Sequence, residues 1–108
     1  MQLFLLGLNH KTAPVEVREQ LALPPAHLPL VLRALREQAG AREAAVLSTC
    51  NRAEVYTVID ADAAPRLEDV LCHWGHISAT QIGRHLYRKG GGDSARHLFR
   101  VASGIDSL

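Results

Sequence analysis

The sequence predicts an α+β domain, an antiparallel sheet with two helices packed on one face, in the order βαββαβ and followed by an additional C-terminal helix. Three observations carry this. Apolar runs short enough for strands alternate with segments of helical spacing. Glycine and proline punctuate nearly every boundary between them. Finally, 108 residues, 47% of them hydrophobic, suit one core and leave little room for a second.

The elements follow in order. Leu3 to Leu8 is continuously apolar except for Gly7 and reads as a buried strand, with Asn9 and His10 starting a polar loop. "HKTAPVEVRE" is that loop, its Pro14 forcing Ala13 extended. Leu28, Val31, Leu32, Leu35 and Ala39 recur at helical spacing, Pro29 falls in the opening turn, and Gly40 supplies a stop. Glu43 to Leu47 and Glu54 to Asp60 give the next two strands, joined by a hairpin connection. In the latter, Val55, Thr57 and Ile59 share one face and Tyr56 and Val58 the other. Leu67, Val70, Leu71 and Trp74 form the stripe of a second helix stopped by Gly75. "HLYRK" is a fourth strand ended by Gly90 to Gly92, and Asp93 offers an N-cap to a last helix whose apolar face is Ala95, Leu98, Phe99 and Ala102. This order is that of a ferredoxin-like, or split βαβ, sandwich.

Composition excludes several function classes. The formal net charge is +1, from 12 Lys and Arg against 11 Asp and Glu, so any contact with nucleic acid must be local. No span is long enough to cross a bilayer, and the first ten residues lack the basic start and cleavage site of a signal peptide. Two cysteines without secretory features point to a reduced, cytoplasmic setting. "CHWGH" invites a metal reading, but no second Cys pair or HExxH accompanies it, so no metal site is assigned.

The chemistry concentrates in "LSTCNRAEVY", Leu47 to Tyr56. A lone cysteine is commonly a small buried hydrophobe. At Cys50, Arg52 two positions on favours a thiolate, and Ser48, Thr49 and Asn51 add hydrogen-bonding groups that a structural cysteine does not require. Arg52 reads either as a solvated tip charge or as a fork for a substrate carboxylate. Asn51 either orients a carbonyl or stabilises the turn. The helical wheel puts His97 ~200° from Ala95, off the apolar stripe, which leaves solvent exposure or a place facing the hairpin.

"GLNHKTAPVEVRE", "LSTCNRAEVY" and "ARHLFRVASGIDSL" occur in the order and at about the spacing found in glutamyl-tRNA reductases, and the whole chain resembles the N-terminal catalytic domain of that family. The resemblance implies NADPH-dependent reduction of glutamyl-tRNA(Glu) to glutamate-1-semialdehyde, the first step of the five-carbon route to tetrapyrroles. It implies that Cys50 attacks the aminoacyl ester and forms a thioester, and that Thr49, Cys50, Asn51 and Arg52 form the substrate-binding turn. Arg52 matches the residue that holds the glutamate α-carboxylate, His97 an active-site histidine and Ser107 a substrate contact. The chain is expected to be residues 1–108 of a longer protein, truncated before its NADPH-binding and helical dimerisation domains. The cofactor is therefore expected outside this stretch. The partners implied are glutamyl-tRNA(Glu), a second copy through the helical domain, and glutamate-1-semialdehyde aminotransferase by handover. Ala53 and Ile105 depart from the family pattern without removing a reacting atom. "GRHLYRKGGGDS" has glycines but not the GxGxxG spacing. The alternative is a non-catalytic tRNA-end or partner-binding module using Arg84, Arg88, Lys89, Arg96 and Arg100, residues that also suit a solvated face.

Overall fold

The computed structural model describes residues 1–106. Its strands are β1 (Gln2–Asn9), β2 (Glu43–Ser48), β3 (Arg52–Ile59) and β4 (Tyr87–Gly90), and its helices are α1 (Val15–Leu21), α2 (Leu28–Glu37), α3 (Ala64–Gly75), α4 (Ala79–Gly83) and α5 (Gly92–Ala102). The strands form one sheet of order β2-β3-β1-β4 with every pairing antiparallel.

One face of the sheet carries the hydrophobic core. Leu6 and Leu8 of β1 and Val55 and Ile59 of β3 meet Val17 and Leu21 of α1, Val31 and Leu35 of α2, and Leu67, Val70 and Leu71 of α3. The period of two puts Gly7, Glu54, Tyr56 and Tyr87 on the opposite face, because Gly7 pairs with both Glu54 and Tyr87 and Leu5 pairs with Tyr56. Helix α5 covers that second face, lying against β1 and β4.

Two helices lie in stretches without a helix signal in the sequence. Helix α1 occupies part of the expected loop: it is only seven residues long, contains two valines and has no side-chain cap, and what holds it is burial of Val17 and Leu21. The loop proper is a tight turn, in which Asn9 Oδ1 accepts from the Lys11 and Thr12 N–H groups at 2.9 and 3.1 Å. Helix α4 is a single turn capped by Ser78, whose Oγ accepts from the Gln81 N–H at 3.1 Å.

The ends of α3 and α5 correct two sequence readings. The left-handed residue after α3 is His76, at φ 51°, rather than Gly75. Gly75 is needed for closeness, since a Cβ there would sit 2.6 Å from Leu21 Cδ2. At α5 the N-cap is Gly91, at φ 57°, and Asp93 lies in the first turn, where its charge suits the helix dipole.

The larger correction concerns which side of α5 is buried. Ser94, His97 and Val101 face the sheet, whereas Phe99 is 73% exposed and Leu98 is also exposed. The apolar stripe Ala95, Leu98, Phe99, Ala102 therefore looks largely outward. The reason lies in the sheet: beneath α5 are a guanidinium, a carboxylate and two phenols, and residues that bond them dock there.

Candidate active site

The alternation of β3 sets Arg52, Glu54 and Tyr56 side by side on the face covered by α5. Arg52 is 2% exposed and Glu54 0%, and one hydrogen-bond network joins them. Glu54 Oε2 accepts from Arg52 Nη1 at 3.1 Å, from the Tyr87 hydroxyl at 2.5 Å and from His97 Nε2 at 2.5 Å. Its Oε1 accepts from the Tyr56 hydroxyl at 2.8 Å. A carboxylate oxygen has only lone pairs to offer, so the His97 contact places the proton on Nε2. Arg52 Nη1 and His97 Nε2, 3.4 Å apart, are then two donors sharing one acceptor.

Gly7 makes this possible. It lies on the rung between Glu54 and Tyr87, and the absent side chain leaves room for the phenol to reach across β1 to the carboxylate. A Cβ at Gly7 would meet Glu54 Cγ at 2.9 Å and the Ala53 carbonyl oxygen at 3.0 Å. The Tyr87 and His97 rings meet at a tilt of 49° with centroids 5.4 Å apart, closing the network under α5.

Burial, then the hydrogen bond to Glu54 and its charge, push the Tyr56 and Tyr87 hydroxyls well above the ordinary tyrosine range. Both phenols stay protonated and donate.

At the open end of this cluster is the hairpin tip. The Thr49 N–H donates to the Arg52 carbonyl at 2.8 Å, and Thr49 Oγ1 accepts from the Asn51 and Arg52 N–H groups, each at 3.2 Å. Thr49 thus shapes the turn that lifts Cys50 out. Cys50 is exposed with a free thiol, two residues from a guanidinium whose orientation Glu54 holds. Cys72 is half-buried on α3, and burial first, then the Asp69 charge, raises its thiol above the ordinary cysteine value.

Arg52 opens on a cleft of about 470 Å³ whose other walls are Asn9, His10 and Lys11 of the β1–α1 turn and Ile105 and Asp106 beyond α5. Asp106 is held by Arg100, whose hydrogen bond chiefly keeps its carboxyl below the usual range.

The structure brings Thr49, Cys50, Asn51 and Arg52 together on one turn and joins His97 to Arg52 through Glu54. It overturns the reading of Arg52 as a solvated charge, and His97 is buried rather than solvent-exposed. Ser107 lies outside the described residues. Sequence reasoning missed Gly7, Glu54, Tyr56 and Tyr87. The signal for them was a glycine inside an apolar strand, and Arg, Glu and Tyr at every second position of another. Among the described residues no group of three or more His, Cys, Asp or Glu side chains is placed to hold a metal ion.

Residues 6–108 match the family model described as glutamyl-tRNAGlu reductase, N-terminal domain. The chain is 44% identical over 108 residues to a glutamyl-tRNA reductase of Alkalilimnicola ehrlichii and 46% identical to one of Stenotrophomonas maltophilia; in both cases all of this chain matches 24% of the relative. Among solved structures, the glutamyl-tRNA reductase of Methanopyrus kandleri superposes with a TM-score of 0.75 at 32% identity, covering 98% of this chain and 23% of that one. The chain therefore spans about a quarter of the length of these relatives.

Proposed function

Because the chain belongs to the glutamyl-tRNA reductase N-terminal domain family, we propose that it supplies the nucleophile and the glutamyl site for reduction of glutamyl-tRNA(Glu) to glutamate-1-semialdehyde, the first step of five-carbon tetrapyrrole synthesis. The observation that carries this is an exposed thiol, Cys50, on a turn whose neighbouring arginine is buried, oriented and open to a cleft. Cys50 Sγ attacks the ester carbonyl. A C–S bond forms, the C–O bond to the terminal ribose breaks, and the proton lost from the thiol passes to the departing oxygen, leaving a thioester.

The chemistry of the substrate corrects one expectation. In glutamyl-tRNA the α-carboxyl is the esterified group, so the carboxylate left for Arg52 is the side-chain one. Glu54 holds Nη1 of Arg52 and so fixes the plane of the guanidinium against that carboxylate. His97 is assigned a positioning role, since its Nε2 is engaged with Glu54 beneath α5. Thr49 and Asn51 hold the turn, and Ser107 is proposed as a further substrate contact.

NADPH, where it binds, would supply a hydride. The residues of this chain do not fit it as a binding site: Gly90 to Gly92 lack the fingerprint spacing, Asp93 puts a carboxylate in the first turn of α5, and the Ser94 hydroxyl donates to the Lys89 carbonyl. The cofactor is accordingly assigned to another part of the longer protein. The same reading carries a homodimer formed outside this stretch, a cytoplasmic setting and handover of the reactive aldehyde to glutamate-1-semialdehyde aminotransferase. The ferredoxin-like description belongs here too, supported by the order β2-β3-β1-β4 and its antiparallel pairings.

The test is mass spectrometry of quenched reactions of the full-length enzyme with glutamyl-tRNA. Cys50→Ser is expected to abolish the thioester and Cys72→Ser to retain it, because an unactivated hydroxyl is a far poorer nucleophile. Equal adduct on the Cys50→Ser protein would overturn the assignment.

A further inference from the structure

The near-neutral net charge conceals a local concentration of cations beside the site. Lys89 on β4 and Arg96 and Arg100 on α5 converge on a second cleft, of about 370 Å³, completed by His97, Asp93 and Asp106. It shares Asp106 with the cleft of Arg52, so the two clefts meet there. Asp106 itself is engaged by Arg100 through Nε and Nη2, each at 3.3 Å. Among the described residues no salt bridge holds Lys89 or Arg96. Arg88 is different: the strand period turns it to the core side of the sheet, where it pairs with Glu68 of α3. The cations thus do not form one solvated stripe. Two elements, an edge strand and a helix, aim them into one concavity.

We propose that this second cleft binds the phosphodiester groups at the acyl-bearing end of an RNA. The inference rests on the reading that the glutamyl ester is attacked at Cys50. An ester on the terminal ribose is followed along the RNA by phosphodiesters, so a polyanion must leave the Arg52 cleft in some direction. The cleft joined to it at Asp106 is the one lined by three cations. Lysine and arginine bind such phosphates by charge and by N–H donation, and they position the strand without reading its sequence.

The test measures binding of an uncharged acceptor-stem RNA with a single-stranded 3′ end to the full-length protein, from 50 to 200 mM salt. Each phosphate contact on a single strand contributes ~0.7 to the slope of log affinity against log salt. Lys89→Gln with Arg96→Gln should lower the slope by ~1.4, so that the variant loses about sevenfold less affinity than the wild type across that range. Arg33→Gln with Arg36→Gln, an equal loss of two charges on α2 across the sheet, should leave the slope unchanged. An unaltered slope in the Lys89→Gln, Arg96→Gln variant would overturn the proposal, as would an equal fall in the Arg33→Gln, Arg36→Gln variant. A loss of NADPH affinity without a change in RNA slope would overturn it in favour of a dinucleotide site. The Cys50 adduct is read separately: its absence from the wild type defeats the enzymatic reading, whereas an intact adduct with an unchanged RNA slope defeats only the subsite.

Discussion

Replacing Glu54 by glutamine removes a formal charge, and no heavy atom, from a site with no solvent exposure. The carboxylate takes four donors, from Arg52, Tyr56, Tyr87 and His97. An amide can keep its oxygen at the Oε2 position, and Tyr56 can rotate its hydroxyl to accept from the new NH2 group, so most hydrogen bonds survive in form. The charge balance does not survive. Arg52 has a 1% exposed side chain and would lose its carboxylate partner there. Removing one member of a buried ion pair costs roughly 3–5 kcal/mol. For a domain near 100 residues each kcal/mol moves the midpoint by ~4–8 °C, so the lower bound corresponds to a fall of at least ~12 °C. Urea unfolding of Glu54→Gln with an unchanged m-value measures the loss directly. The double variant Arg52→Met with Glu54→Gln tests the cause, since removing both charges should recover part of what the single change costs. A single-variant loss below about 1 kcal/mol, or strictly additive losses, would refute the claim that Arg52 and Glu54 act as a buried pair.

Two further outcomes follow from the same network. Tyr56 and Tyr87 have folded-state pKa values raised above the ordinary 10.0, so the unfolded chain ionises first; stability should be intact below pH 10 and fall above it by up to ~1.4 kcal/mol per pH unit for each phenol. Tyr56→Phe and Tyr87→Phe should each reduce that slope in alkaline urea titrations, and an unchanged slope in both would remove the phenols from the network. Gly7→Ala should destabilise the domain by ~1–3 kcal/mol, because the new methyl overlaps Glu54 and the Ala53 carbonyl. Near-wild-type stability in Gly7→Ala would show that the gap across β1 is not needed.

Much of the fold was legible from local chemistry. Strand period, proline in an opening turn and glycine at boundaries are properties of neighbouring residues, and they placed β1, α2, β2, β3, α3 and β4 with boundaries shifted by a few residues at most. The candidate-site turn was legible for the same reason: Thr49, Cys50, Asn51 and Arg52 are consecutive, and chain continuity alone keeps them together. Helices α1 and α4 were not legible, because seven and five residues are too few to signal a period and their stability comes from packing and a cap. Only the tertiary structure decided which face of α5 is buried. A helical wheel ranks faces by hydrophobicity alone, whereas the partner of α5 is a sheet face carrying Arg52, Glu54, Tyr56 and Tyr87, and a buried charge demands hydrogen-bonding partners before it tolerates apolar ones. Forty-three residues separate Glu54 from His97 along the chain, and no local pattern links them. Their meeting depends on the antiparallel register of β3, β1 and β4, in which the missing side chain of Gly7 lets donors from two other elements converge on one carboxylate.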